Sequence, residues 1–199
     1  MQTQADVLAL LATNLVFSVK IAPLVVVVAT LVRSALLLTG RKRAIVSWTR
    51  NTLLSIATIV FLPGMLVNTA CRYGVCSLFG IDLEGVGGGS TYAELNLFLK
   101  VDRPPKVAVL VSALYVSTVA SVFIGFSLLF LPVVLLLGVP IVLLCWYMAL
   151  CVLFNSSLRG GDVQLLGAAL QQHPGRGIAE LFVALAVLIV FYAFIGVGL

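Results

Sequence analysis

The chain alternates long apolar runs with short polar segments, a pattern typical of membrane-spanning helices. A helix rises 1.5 Å per residue, so about 20 apolar residues cross the roughly 30 Å hydrocarbon layer of a bilayer. The pattern predicts an all-α fold: a polytopic helical membrane protein with about five transmembrane helices, forming a single membrane domain over residues 1–199. The predicted spans are residues 21–39, 52–71, 107–130, 133–154 and 178–198.

The N-terminal apolar run, residues 5–19, is too short to cross a bilayer and is closed by Lys20. It predicts an N-terminal interfacial segment, or else the first half of a long helix bent at Pro23. Arg33 is the one charge inside the first span. Because it lies near the end of that span, we expect its side chain to extend toward the lipid headgroups.

Two polar loops are predicted, at residues 72–106 and 155–177. In the first, the glycine-rich run 85–90 predicts a flexible turn, and the alternating residues 92–101 predict an extended segment on the membrane surface. The second loop carries the only histidine, His173, which is expected to be solvated. A single histidine also excludes a zinc site built on several imidazoles.

A tight turn is predicted at Leu131-Pro132, between the third and fourth spans. Before it, small residues recur every four positions along the third span. Such a stripe lets another helix approach closely and is the usual device for helix packing in lipid, although a solute path lined by its serines is the alternative. The stripe comprises Ala113, Ser117, Ser121 and Gly125.

Composition supports the membrane assignment, because 62% of the residues are hydrophobic and only 10% are charged. A soluble domain has about a quarter of its residues charged. The net charge of +5 indicates anionic lipid headgroups as a partner, and no basic stripe with interleaved aromatics indicates nucleic acid. The distribution of Lys and Arg favours cytoplasmic loops 72–106 and 155–177, although the cluster at residues 41–43 favours the opposite orientation.

The second span is interrupted by Pro63-Gly64, and the polar residues Asn68, Thr69 and Arg72 follow directly. A kink is expected at the Pro-Gly pair. Polar groups just after a break in a membrane helix are where a functional site is expected.

This stretch resembles the active-site helix of the site-2 protease superfamily of intramembrane zinc metalloproteases. Prokaryotic members of that family often read PGxxxHExxH. The resemblance puts Asn68 at the first histidine, Thr69 at the catalytic glutamate and Arg72 at the second histidine. Asp162 is the candidate equivalent of the family's third metal ligand. The resemblance covers roughly residues 52–175 and implies a prokaryotic cell membrane.

The residues at these positions do not suit zinc catalysis, which needs two imidazoles, a carboxylate ligand and a general base. Asn68 is a poor zinc ligand, Thr69 has no useful basicity and Arg72 brings positive charge. We therefore expect no catalytic residue, metal or cofactor, and interpret the chain as a pseudoprotease: an accessory or structural subunit that packs against other membrane proteins. The alternative is a pore or small-solute transporter component with a polar path near Asn68, Thr69 and Arg72.

Overall fold

The computed structural model describes residues 2–39, 42–45, 48–91, 94–101, 105–157, 160–172 and 174–197, so Gly40, Arg41 and His173 lie outside the described residues. Within these ranges the chain forms seven helices and two antiparallel hairpins. The helices are α1 (Gln2–Thr39), α2 (Thr52–Val60), α3 (Leu62–Leu78), α4 (Val107–Val134), α5 (Val139–Asn155), α6 (Gly160–Gln172) and α7 (Pro174–Val197). The strands are β1 (Lys42–Ile45), β2 (Trp48–Asn51), β3 (Leu83–Thr91) and β4 (Glu94–Val101).

The helical fold class is confirmed, with the two hairpins as an addition that the hydrophobic pattern did not predict. Three helices are long and apolar enough to cross a membrane: Val7–Leu36 within α1, Val107–Val134, and Pro174–Phe194 within α7. The apolar helix α5 is shorter. The chain is therefore an integral membrane protein by the length and composition of its helices.

The N-terminal residues form one helix with the first predicted span, because α1 runs from Gln2 to Thr39 with Pro23 inside it. The prediction of a separate interfacial segment is therefore wrong, and the alternative prediction of one long helix is confirmed. A helical proline removes a single backbone hydrogen bond. In apolar surroundings the other backbone groups have no better partners than those within the helix, so the helix continues past it.

The predicted break in the second span is confirmed, since α2 ends at Val60 and α3 begins at Leu62. Pro63 lies in the first turn of α3. N–H groups in the first turn have no acceptor within the helix, so the N–H that proline lacks costs no helical hydrogen bond. The two helices stay linked through Phe61, whose N–H donates to Ala57 at 2.9 Å and whose carbonyl accepts from Met65 at 3.2 Å.

The glycine-rich run is part of a strand, so the prediction of a flexible turn there is wrong. Residues 85–90 lie in β3, which pairs antiparallel with β4. Glycine can adopt extended backbone. The backbone hydrogen bonds to β4 offset the conformational entropy that the glycines lose when they are ordered in a strand. The predicted extended segment is confirmed over β4, and its position on the membrane surface stays a prediction. β4 contacts both α2 and α3, and β2 contacts β3 and β4.

The turn between α4 and α5 comes later than predicted. α4 continues through Pro132 to Val134, and the chain reverses over residues 135–138, where Leu136 has a φ of 51°. Pro140 lies in the first turn of α5, a position that favours helix initiation. The second polar loop contains a full helix, α6, over residues 160–172.

Helix α5 packs between α3 and α4 at two glycines. A Cβ on Gly64 would lie 1.9 Å from the carbonyl oxygen of Cys151, and one on Gly125 would lie 2.7 Å from Cδ2 of Leu153. No side chain fits at Gly64, because the atom that blocks it belongs to the backbone of α5. Glycine at these positions lets the helices approach closely, as small residues do in membrane helix pairs.

The small-residue stripe of α4 is buried over its whole length, including Ala113, Ser117 and Ser121 as well as Gly125. It therefore serves helix packing within this chain. An external helix would need another contact surface.

Candidate functional site

The close approach at Gly64 brings α3 and α5 into a parallel register in which successive turns meet. One turn beyond Gly64, the Asn68 amide donates to the carbonyl of Asn155, which lies one turn beyond Cys151. One turn further, Nη2 of Arg72 donates to the carbonyl of Ser157 at 3.4 Å. The polar residues that follow the break thus face the C-terminal end of α5.

Asn68 joins three helices. Its side chain is only 1% exposed. Besides the bond to α5, its Oδ1 accepts a hydrogen bond from Oγ of Ser121 on α4 at 2.9 Å. Asn155 in turn donates to the carbonyls of Phe61 and Cys151, both at 2.8 Å. Both amides therefore have partners inside the helical core, as buried polar groups require.

Arg72 forms an ion pair with Asp162 of α6, and the two side chains are only 9% and 13% exposed. These residues are 90 positions apart in sequence. Nε of Arg72 is buried and has no hydrogen-bond partner among the described residues. Two opposite charges this deeply buried need one another, because a lone buried charge carries a large desolvation cost.

Thr69 and the ion pair line a small cavity of about 40 Å³, together with apolar side chains that include Cys76 and Leu110. A volume of this size holds on the order of one to three water molecules. The Thr69 hydroxyl donates back to the Met65 carbonyl at 2.8 Å, within its own helix.

Arg33 belongs to the same polar cluster, and the prediction that it extends to the headgroups is wrong. The residue is 6% exposed. Its Nη1 donates to Oγ of Ser157 at 2.7 Å, and its guanidinium lies 5.5 Å from the centre of the Phe154 ring. A hydroxyl and an aromatic face at the end of α5 thus replace the headgroup contacts.

The structure brings together most of the residues that the sequence singled out. Asn68, Arg72, Asp162 and Ser121 form the cluster, and Thr69 lines its cavity. The other stripe residues pack along α4: Ser117 donates to the Leu114 carbonyl at 2.9 Å, and Ala113 packs against α3. Among the described residues, no group of three or more His, Cys, Asp or Glu side chains could hold a metal ion.

Sequence reasoning missed three members of the cluster: Arg33, Asn155 and Ser157. One signal could have found the first. Asn14, Ser18 and Ala22 recur every four residues on α1 and are buried, as are Ala29 and Arg33 further along that face. A stripe of small and polar residues on a membrane helix predicts its contact face, and therefore a buried Arg33.

The site offers two amides, the hydroxyls of Ser121, Thr69 and Ser157, the ion pair between Arg72 and Asp162, and the guanidinium of Arg33 bound to Ser157. Such groups orient helices and hold water. Comparison of the chain with protein-family models, with characterised proteins and with solved structures finds no significant match.

The Arg72–Asp162 pair gives a direct stability test. Substituting Arg72→Gln removes the buried guanidinium that pairs with Asp162, so the free energy of unfolding in detergent should fall by about 3–5 kcal/mol. The control is Arg176→Gln. Arg176 pairs with Glu180 but its side chain is 77% exposed, so its loss should cost less than about 1 kcal/mol.

The double variant Arg72→Gln/Asp162→Asn should recover part of the loss, because it removes both charges. Unfolding monitored by circular dichroism during titration with a denaturing detergent measures all four proteins. An equal fall in the free energy of unfolding for Arg72→Gln and Arg176→Gln would contradict the interpretation of Arg72 and Asp162 as a buried, mutually dependent pair.

Proposed function

We propose that this chain is a non-catalytic integral membrane protein with an inactivated site-2 protease-like centre, acting as an accessory or structural subunit of a larger membrane complex. The observation that carries the proposal is the buried ion pair between Arg72 and Asp162. In the resemblance, Arg72 stands at the second metal-binding histidine and Asp162 is the candidate third ligand.

The meeting of these two side chains supports the resemblance because they are 90 residues apart. Metal ligands that are distant in sequence must converge in space, and Arg72 and Asp162 do so here. The guanidinium supplies the positive charge that a bound cation would otherwise bring to Asp162. Asn68 is committed to Asn155 and Ser121, so its amide serves packing rather than coordination.

Restoring the metal-binding side chains tests this proposal. The variant Asn68→His/Thr69→Glu/Arg72→His should acquire about one zinc ion per purified chain, since it would present two imidazoles beside the Asp162 carboxylate. The measurement is elemental analysis after dialysis. Adding Asp162→Asn should remove most of the zinc, because that change removes one ligand.

A matched control carries the same histidine spacing on an exposed face of α3, as Leu66→His/Ala70→His, and should not retain stoichiometric zinc. Equal zinc in the control and the restored variant would contradict the proposed equivalence. So would stoichiometric zinc in the unmodified protein.

The proposed topology has four full crossings: α1, α4, α5 and α7. α1 and α3 both run toward the C-terminal end of α5, where Arg33 and Arg72 reach Ser157, whereas five alternating crossings would make them antiparallel. We therefore propose that α2 and α3 enter and leave the membrane on one side. By helical rise, α5 covers about 25 Å, enough to cross the hydrocarbon layer with little adjustment. The segments after α3 and after α5 then lie on one side, proposed as the cytoplasmic side of a prokaryotic cell membrane. The β3–β4 hairpin extends back along α2 and α3 toward β2.

Epitope tags separate this topology from one with only the three long spans. If α5 crosses, a tag in the turn at residues 135–138 and a tag inserted between Gln172 and Pro174 are accessible from opposite sides of intact membranes. With three crossings, both tags are accessible from the same side. Antibody binding to sealed cells before and after permeabilisation measures the difference.

The accessory role rests on the contrast between a polar cluster whose side chains bond mainly to one another and the apolar outer surfaces of the helices. α7 exposes large side chains along its length, including Phe182 and Phe194. Lipid or partner helices can cover this surface, and the accessory role predicts that purification from native membranes in a mild detergent recovers the chain with other membrane subunits in fixed stoichiometry.

Recovery of the chain alone would contradict the accessory role. Solute flux in proteoliposomes that Asn68→Leu abolishes, while the protein stays folded, would favour a pore or transporter component instead. The small cavity and the internally bonded amides favour the structural role.

A further inference from the structure

A pocket of about 250 Å³ opens where the start of α4, the end of α6 and the start of α7 meet. Gly177 brings the three helices together, because a Cβ there would lie 3.3 Å from Cδ2 of Leu170 and 3.4 Å from Cγ2 of Val107. The pocket is the place where polar side chains of all three segments converge. Its polar lining consists of Lys106, Gln172, Arg176 and Glu180.

The depth of this pocket follows from the helices that begin at it. Two of the helices long and apolar enough to cross a membrane are Val107–Val134 and Pro174–Phe194. Lys106 directly precedes the first of them, and Arg176 lies in the first turn of the second. The ends of membrane-spanning helices lie where the hydrocarbon layer meets the lipid headgroups. Both cations therefore lie in the layer that holds the phosphates of phospholipids.

The charge of the pocket favours an anion. Its side chains include two cations and one carboxylate, which leaves a net charge of +1. The carboxylate is that of Glu180, whose Oε1 lies 3.4 Å from Nε of Arg176. Lys106 adds a second ammonium-type donor, and the amide of Gln172 can donate without adding charge.

The helix ends around the pocket add to this preference. Two N-terminal ends and one C-terminal end meet here, each equivalent to about half a charge, so their balance is positive. The first-turn N–H groups of α4 have no acceptor within the helix, and its N-cap residue, Lys106, makes no side-chain hydrogen bond to them. Val107 is only 2% exposed, so these groups lie at a sheltered wall of the pocket.

The outer face of α7 continues from the pocket into the hydrocarbon layer. Ile178 and Phe182 are 50% and 69% exposed, and they lie one turn apart on the same face. This face offers apolar surface to an acyl chain whose phosphate is held at the pocket, whereas free phosphate would gain nothing from it.

We propose that the pocket at the start of α4 and α7 binds the phosphate of an anionic phospholipid. Lys106 and Arg176 supply the positive charge, and the outer face of α7 contacts an acyl chain. The site uses no side chain of the Arg72–Asp162 cluster and does not depend on the proposed function.

Native mass spectrometry of the full chain tests this proposal, with phosphatidylglycerol and phosphatidylcholine of identical acyl chains supplied in equal amounts. We expect one phosphatidylglycerol to be retained per chain in preference to phosphatidylcholine. Lys106→Gln and Arg176→Gln should each lower that preference about fivefold, the effect of one basic residue at an anionic surface. Lys20→Gln is the charge-matched control and should leave the preference unchanged, because Lys20 is on α1 and does not line the pocket.

A further variant separates a built pocket from diffuse surface charge. Gln172→Trp fills the pocket without changing its charge, so it should lower retention of phosphatidylglycerol to that of phosphatidylcholine. Equal retention of the two lipids by the unmodified protein, an equal effect of Lys20→Gln, or unchanged retention in Gln172→Trp would each overturn the proposal. The two charge variants and their control give a separate readout if Gln172→Trp does not fold.

Competition with inorganic phosphate distinguishes a lipid site from a site for free phosphate. Equilibration with millimolar inorganic phosphate should leave the phosphatidylglycerol bound, because the acyl chain also contributes to its binding. Complete displacement of the lipid, with phosphate retained in its place, would identify a site for the free anion and overturn the proposal.

Discussion

The close approach of α3 to α5 at Gly64 is the constraint on which the rest of the site depends. The space beside Gly64 is taken by the backbone of Cys151, so the two helices meet with no side chain between them. Residues about four positions apart lie on the same face of a helix, so the following turns of α3 and α5 also meet. Asn68 reaches Asn155, and Arg72 reaches the end of α5. A wider separation would leave these polar groups in an apolar environment without partners.

The energetic value of the polar cluster lies in specificity more than in net stability. A buried ion pair often contributes little compared with well-packed apolar residues, but separating its members is costly. Arg72 and Asp162 therefore fix the docking of α6 on α3, and Asn68 fixes α4 and α5 through Ser121 and the Asn155 carbonyl. Arg33 attaches α1 to the same end of α5 through Ser157. One cluster thus ties together five helices that apolar contacts alone would orient loosely.

Sequence reasoning predicted the parts of the fold that local physics decides. The length of the apolar runs predicted the long helices, and Pro63-Gly64 predicted the break. The four-residue spacing of small residues that includes Ser121 predicted a contact face on α4. It failed where tertiary contacts decide. At Pro23 it left two alternatives open, and the structure has the long helix. The glycine-rich run forms a strand because β4 pairs with it. The Arg33 side chain is buried because it contacts Ser157 and Phe154. No local pattern predicts that Arg72 meets Asp162, and the two positions had been singled out only through a family resemblance.

The order of the chain has a consequence for how this protein reaches the membrane. Arg72 leaves the ribosome 90 residues before the carboxylate that neutralises it. Until α6 has been made, the guanidinium of Arg72 lacks this carboxylate, and a lone charge in the hydrocarbon layer is costly. We therefore expect α3 to reach its final depth only after α5 and α6 have been made.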